Sequence, residues 1–341
     1  MNHTDSKRRW LLGALTALNI AFVIALYVAE TYIAERHWLT TLVTYAPQQF
    51  FVIPSLLLLA CSVFASSRRM IAANMAAALF VVFTLLGCNI PFGRLASCSG
   101  PRIRVMTYNI HHGEHGMALI ARNVRTLRPD IVCLQETIPE GKRANPVAIL
   151  RRLMPEWHFV ECGQLAVISR YPIAECEVHP EPVDYWRVIL QATIVSEGRR
   201  LTVVNLHMST AAHPESLTDH RGSFPAYLRN TAVARSVQVS RLLEVTRKIQ
   251  GPLVVVGDFN TPPRGRLYRR MCREFTDSFA ASGWGCGYSF RANAPVMRID
   301  YVFVGNGLCP VGCKVPSVPP ASDHRPVVAD IAFDKQLRSA Q

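Results

Sequence analysis

The sequence predicts a layered α/β sandwich carried behind a membrane anchor. Three features lead there. Long uncharged apolar stretches fill the first 90 residues, the rest alternates short β-branched runs with helical periodicity, and those short runs repeatedly finish in polar, chemistry-bearing residues.

The first stretch, Trp10 to Ala29, carries no charge and is long enough for an α-helix to cross roughly 30 Å of hydrocarbon. Phe50 to Ala65 and Ile71 to Gly87 are shorter but equally uncharged, and the turn between them, SSRRM, admits only a helical hairpin. Three transmembrane helices are therefore expected. A cleaved signal peptide is the alternative for the first, since Lys7, Arg8 and Arg9 precede it, but no small-x-small cleavage site follows. A buried hairpin of a soluble domain is the alternative for the other two. Lysines and arginines favour cytoplasmic loops. Lys7 to Arg9 flank the first span and Arg68 and Arg69 fill the hairpin turn, so the part beyond Gly87 is expected outside the cytoplasmic membrane, although Arg94, Arg102 and Arg104 oppose that orientation.

Cys88 closes an LLGC that looks like a lipid-attachment box but lies too far from the amino terminus to be processed as one. Cys98, Cys133, Cys162, Cys176, Cys272, Cys286, Cys309 and Cys313 form an even set open to pairing in an oxidising compartment, with Cys133 the better candidate for a buried free thiol. CPVGC lacks the second pair that a zinc site needs. From Pro101 onward thirty Lys and Arg face twenty-one Asp and Glu, a net charge of +9 that favours anionic partners: nucleic acid, phospholipid or a phosphorylated metabolite.

After PFGRLASCSGP, the expected linker over 91–101, eight runs read as strands: IRVMTYNI, DIVCLQET, LAVISRYPI, VILQATIV, RLTVVNLHM, PLVVVGDFN, RIDYVFVG and HRPVVADIAF. GMALIARNVRTLRPD and TAVARSVQVSRLLEVTRKIQ place apolar residues three and four apart and read as helices on the outer faces. The folded domain spans 102–333, with 334–341 as a tail and 1–90 as the anchor.

The chemistry lies where these runs end. Asn109 ends the first, Glu136 the second, His207 the fifth, and Asp258 and Asn260 the sixth; Asp300 opens the seventh, and Asp323 and His324 precede the last. Asp258 and Asn260 alone would read as a turn. Glu and His have little turn preference, so the recurrence points to one cleft gathered on a shared rim.

The ordered segments YNIHHG, LQE, NLH, GDFN, RIDYVF and SDHRP resemble the motifs of the endonuclease/exonuclease/phosphatase superfamily, over about Arg102 to Ile331. With three spans ahead of it, the chain also resembles a membrane-anchored bacterial branch of that superfamily. The resemblance implies a DNase I-like four-layered sandwich and magnesium-dependent hydrolysis of phosphate esters, with manganese an acceptable substitute. It implies Glu136, Asn109 and Asp323 as metal ligands. It makes His324 the acid/base residue, Asp300 its orienting partner, Asp258 the group that positions or deprotonates the attacking water, and Asn260 a support for water or phosphate. His207 stands where relatives carry histidine or tyrosine, implying a phosphate-contacting or proton-donating role. Some relatives have an acidic residue where this chain has His111. His112, His115 and His179 read as surface residues, and Arg170 as either a phosphate contact or a strand-edge ion pair.

The expected function is a membrane-tethered phosphohydrolase or phosphodiesterase acting on a phosphate ester or a lipid-linked (pyro)phosphate. An extracytoplasmic nuclease and a non-catalytic receptor for a phosphorylated ligand remain open as alternatives.

Overall fold

The structure, a computed structural model, describes residues 3–91, 100–139, 141, 143–183, 186–210 and 223–334. Most of the expected linker, the tail beyond Asp334 and most of the loop TAAHPESLTDHRGSFPAY lie outside them.

Alternation along the strands builds the domain. In β1 (Arg102–Asn109), Ile103 and Val105 point to one face, Met106 and Tyr108 to the other, and all four are buried. A strand apolar on both faces must be covered on both. The first face packs against a second sheet and the other against helices. One sheet has the order β11-β12-β1-β2-β4-β3, the other β5-β6-β7-β8-β10-β9. Their strands are β2 (Ile131–Gln135), β3 (His158–Cys162), β4 (Leu165–Ser169), β5 (Ile173–Pro180), β6 (Val188–Ser196), β7 (Arg199–His207), β8 (Leu253–Asp258), β9 (Thr276–Asp277), β10 (Asp300–Gly305), β11 (Leu308–Lys314) and β12 (Val327–Phe333). Val105, Cys133, Val167, Val203, Val256 and Val302 fill the space between the sheets.

The outer faces are closed by helices, completing four layers. Met117, Ile120 and Val124 of α5 (Met117–Leu127) and Val147 and Leu150 of α6 (Pro146–Leu153) cover the first sheet. Val239, Leu242 and Leu243 of α7 (Phe224–Thr246), with Leu267 and Met271 of α8 (Gly265–Met271), cover the second. A short α9 (Ser278–Ser282) follows β9.

The eight expected strand runs all lie on observed strands, but β3, β5, β9 and β11 were not among them. β5 is exposed at nearly every position and so carries no apolar alternation to read. CPVGC lies within β11, where Cys313 is a buried free thiol and Cys309 is disulfide-bonded.

The N-terminal helices depart from three uninterrupted spans. α1 (His3–Val28) runs on through irregular turns, giving an apolar helix over Ser6–Arg36; α4 (Arg68–Phe80) extends similarly to Leu85. These two are long and apolar enough to cross a membrane. The middle stretch instead begins as a tight turn at Gln48, continues as α3 (Ile53–Phe64), and is preceded by α2 (Trp38–Tyr45) at an 87° bend. A third crossing exists only if that bent pair counts as one. Pro47, between the two segments, explains the break, because proline withholds the amide that would carry a helix through.

The even set of eight cysteines is also corrected. Cys88, which lay outside that set, is bonded to Cys286 across a sequence separation of 198, while Cys133, Cys162, Cys176, Cys272 and Cys313 are free thiols.

Candidate active site

Side chains alternate along a strand, so the residues that end the inter-sheet faces arrive together. Thr107 and Asn109 continue the face of Val105, Gln135 that of Cys133, Asn205 and His207 that of Val203, and Asp258 that of Val256. β10 runs antiparallel to β8, and its first residue, Asp300, lies opposite Asp258. All of them reach the same rim. Gly257 permits the close approach: with φ at 146°, a Cβ there would stand 1.9 Å from the Leu206 carbonyl oxygen.

A polar layer separates the apolar core from the rim. Gln135 Nε2 donates to Asn205 Oδ1 at 2.7 Å and to Thr107 Oγ1 at 3.0 Å, and Asn205 Nδ2 donates to the carbonyls of Leu134 and Ala166, each at 3.0 Å. These bonds tie the two sheets together directly beneath the catalytic candidates.

On that floor stands a buried cluster. His324 Nδ1 lies 2.8 Å from Asp300 Oδ2, and its Nε2 3.7 Å from Asp258 Oδ2. Asn109 Nδ2 reaches Glu136 Oε1 at 2.9 Å and Asp258 Oδ2 at 3.1 Å. The Asn260 backbone amide donates to Asp258 Oδ1 at 2.9 Å, and its side-chain amide to the Met208 carbonyl at 3.0 Å. Ser322 holds the far wall, its hydroxyl donating to the Asn109 carbonyl at 2.8 Å and accepting from the His324 amide at 3.1 Å. The Phe290 ring packs on the His324 imidazole with centroids 4.8 Å apart.

Burial and charge set the protonation states. For His324, burial favours the neutral ring, but Asp300 and Asp258 together outweigh it and raise the imidazole to about 10. For Asp258, burial and then repulsion from Asp300 outweigh the attraction of His324, and the carboxyl rises to about 7. His207 moves the other way. Burial, followed by Arg187, His324 and His112, pushes it well below its usual value, so it is neutral.

His111, His112, Glu136 and Asn260 all have positive φ, between 44° and 55°. Strain of this kind in non-glycine residues collects where a site needs side chains aimed against backbone preference.

Of the residues singled out in the sequence, Asn109, Glu136, His207, Asp258, Asn260, Asp300 and His324 therefore converge. Asp323 stands at the edge: its side chain is 39% exposed, 3.9 Å from His111 Nδ1 and 3.3 Å from the Ser322 hydroxyl. His112, expected on the open surface, instead places Nε2 3.5 Å from Glu136 Oε2. Arg170 makes no ion pair among the described residues; it stacks on Trp157 at 5.0 Å and follows β4, whose antiparallel course carries it to the rim opposite this cluster. Sequence reasoning passed over Gln164, whose Oε1 lies 2.9 Å from His207 Nδ1, and Arg187, which donates to the His207 and Met208 carbonyls. Neither lies in a recognisable motif. A concavity of about 1560 Å³ lies at the other end of the strands, lined by Arg199, Lys248 and Phe333 among others, and shares no residue with this cluster.

Asp258, Asp300 and His324 bring ligand-type atoms within 4.8 Å of one another. A protonated imidazole already bonded to Asp300 is a poor metal ligand, and this trio is better suited to acid/base work. The donors fit for a hard divalent cation are the oxygens of Glu136, 20% exposed at the cleft, with Asn109 beside it. Asp300 Oδ1 is a further buried oxygen without a hydrogen-bond partner among the described residues.

Two six-stranded sheets flanked by helices, with acids, amides and histidines on one rim, define a DNase I-like phosphoesterase fold. The profile of the endonuclease/exonuclease/phosphatase family matches residues 106–324, and the chain belongs to that family. Similar solved structures include an endonuclease/exonuclease/phosphatase from Beutenbergia cavernae, at 21% identity over 68% of this chain and 72% of that one, with a TM-score of 0.54. A counterpart from Bacteroides vulgatus is 18% identical over 69% of this chain and all of that one, with a TM-score of 0.55. The mannosyl-6-phosphatase Bt3783 of Bacteroides thetaiotaomicron is 19% identical over 68% of this chain and 100% of that one, with a TM-score of 0.52. No curated protein sequence matches significantly.

Proposed function

We propose that the protein is a membrane-anchored, divalent-cation-dependent hydrolase of phosphate esters whose catalytic domain lies outside the cytoplasmic membrane. The observation that carries the catalytic part is the Asp258–His324–Asp300 arrangement beside the Asn109–Glu136 pair. Among structural neighbours, one is a sugar phosphatase.

Each residue then has a task. A magnesium ion, when bound, neutralises phosphoryl charge and eases departure of the leaving oxygen; Glu136 and Asn109 would hold it, with Asp323 contributing from the edge. Asp258, once ionised, accepts the proton of an attacking water, its orientation fixed by the Asn109 and Asn260 amides. His324, kept cationic by its two carboxylates, donates through Nε2 to a phosphoryl oxygen while Asp300 holds Nδ1. His207 acts as a support: it is neutral, its Nδ1 faces Gln164 and its Nε2 lies 3.2 Å from Asn260 Nδ2, so it aims Asn260 at the cleft.

The Cys88–Cys286 bond supports the side of the membrane, because such bonds persist in oxidising compartments. Lys7 to Arg9 and Arg68 and Arg69, at the opposite helix ends, support it independently. The test is magnesium-dependent release of phosphate or alcohol from simple phosphate mono- and diesters by purified protein, beside Asp258→Ala and His324→Ala. Equal rates in all three proteins would refute the catalytic assignment.

A further inference from the structure

The helices at the amino terminus do more than tether. Their ends nearest the domain are bonded to the loops that carry the catalytic residues. Arg264, six residues beyond Asp258 and with only 11% of its side chain exposed, donates from Nε to the Thr44 carbonyl at 2.8 Å and from Nη1 to the Leu85 carbonyl at 2.9 Å. Its Nε also lies 3.8 Å from Glu30 Oε2. One guanidinium thus joins the extension of α1, the end of α2 and the extension of α4. Glu35 Oε2 accepts the Arg266 amide at 2.9 Å, and Arg235 of α7 stacks on Tyr45 at 4.6 Å.

The cover of His324 is gripped as well. Phe290, packed on that imidazole, belongs to a segment fixed near both ends by the helical unit. At one end Cys286 is bonded to Cys88, and Gly285 exchanges backbone hydrogen bonds with Asn89 at 2.7 and 2.9 Å. At the other, Gln49 Nε2 donates to the Val296 carbonyl at 2.9 Å, and the Val296 amide donates back to Phe290. Tyr288, between them, donates its hydroxyl to the Leu86 carbonyl at 3.0 Å.

These contacts fix the cleft relative to the helical unit. With α1 crossing the membrane, as proposed above, the end of its uncharged stretch at Ala29 sets Glu30 and the Arg264 beside it where hydrocarbon gives way to headgroups. Six residues of chain reach at most about 21 Å, so Asp258 cannot lie farther than that from Arg264. Phe50, on the turn next to Gln49, and Ile53, the first residue of α3, are exposed apolar side chains beside these contacts.

We infer that the substrate is a phosphorylated lipid of the same membrane, attacked at its phosphate while its chains stay in the bilayer, with the bonded helical unit holding the cleft at headgroup height. The inference rests on the functional reading above and narrows it to one substrate class.

The experiment uses the full chain in phosphatidylcholine vesicles with magnesium. Substrates are offered as pairs sharing one reacting group: dioleoyl and dibutyryl phosphatidic acid for monoesters, dioleoyl and dibutyryl phosphatidylglycerol for diesters, farnesyl and isopentenyl pyrophosphate for anhydrides, with bis(p-nitrophenyl) phosphate and a DNA oligonucleotide as soluble controls. The long-chain member of at least one pair should be favoured by about tenfold or more in kcat/KM, the gain expected from confining both reactants to one surface. In Gln49→Ala/Cys286→Ser, which loosens the segment over His324 without touching a catalytic residue, the preference should fall severalfold while hydrolysis of the soluble control persists. Soluble esters or DNA cleaved with no long-chain preference would overturn the inference and leave the phosphoesterase reading standing. Hydrolysis of none of them would overturn both.

Discussion

His324 is held between two carboxylates that act on it differently: Asp300 bonds its Nδ1 at 2.8 Å, and Asp258 faces its Nε2 at 3.7 Å. Both favour the cation, but only Asp258 can lose contact with it when a phosphoryl oxygen enters. Activity should therefore rise as Asp258 ionises near pH 7 and decline as His324 deprotonates near pH 10. In Asp300→Asn the alkaline limb should move to lower pH and kcat fall by about 10²–10⁴, the usual scale of acid/base contributions. An unchanged alkaline limb in a pH–rate profile would remove Asp300 from its orienting role.

The same two groups make stability depend on pH in the absence of divalent cations. Folded Asp258 keeps its proton to about 7, whereas an unfolded aspartate loses it near 3.8, so stability should fall as pH rises through that window. The stabilisation from charged His324 is complete below 6.5 and is lost as pH climbs through about 10. Denaturant titrations in chelator should slope downward across both windows, and Asp258→Asn should flatten the more acidic one.

Glu136 offers carboxylate oxygens at the cleft, with the Asn109 amide at 2.9 Å from one and the His112 imidazole at 3.5 Å from the other. Glu136→Gln should weaken magnesium binding by at least about tenfold and lower activity in a way that excess magnesium partly restores. Calorimetric titration with the metal alone separates this from a folding defect.

Asn205 satisfies two carbonyls and the Gln135 amide from a fully buried position. Asn205→Leu should cost about 1–3 kcal/mol, the price of orphaned buried polar groups. Because the network underlies the cleft, kcat should fall as well, and thermal unfolding beside single-turnover rates would report both.

The bond between Cys88 and Cys286 should be visible as a shift in electrophoretic mobility on reduction, and its loss in Cys286→Ser should cost about 2–4 kcal/mol. Protease added to intact cells should reach the catalytic domain. A domain protected until the membrane is opened would place it in the cytoplasm.

Much of the domain was legible because its strands are apolar on both faces and end in polar residues, a pattern that survives in one dimension. Asn109, His207, Asp258 and Asp300 each extend an inter-sheet alternation visible in the sequence, and the motif order connects them. β5 was not legible, since an exposed edge strand has no buried alternation. Nor were Gln164, Arg187 and His112, which reach the cluster from loops and strand ends where nothing local constrains them. The middle apolar stretch was read as one span because composition registers length and hydropathy but not the 87° bend before it.

The amino-acid sequence by itself determined which polar residues end the strands and which face of each strand they occupy, because side-chain alternation is a property of the backbone. Tertiary structure alone decided their protonation, the pairing of Cys88 with a cysteine 198 residues away, and the seating of the helical unit against the catalytic loops. Those depend on burial and on distances between segments remote in the chain, which no local pattern encodes.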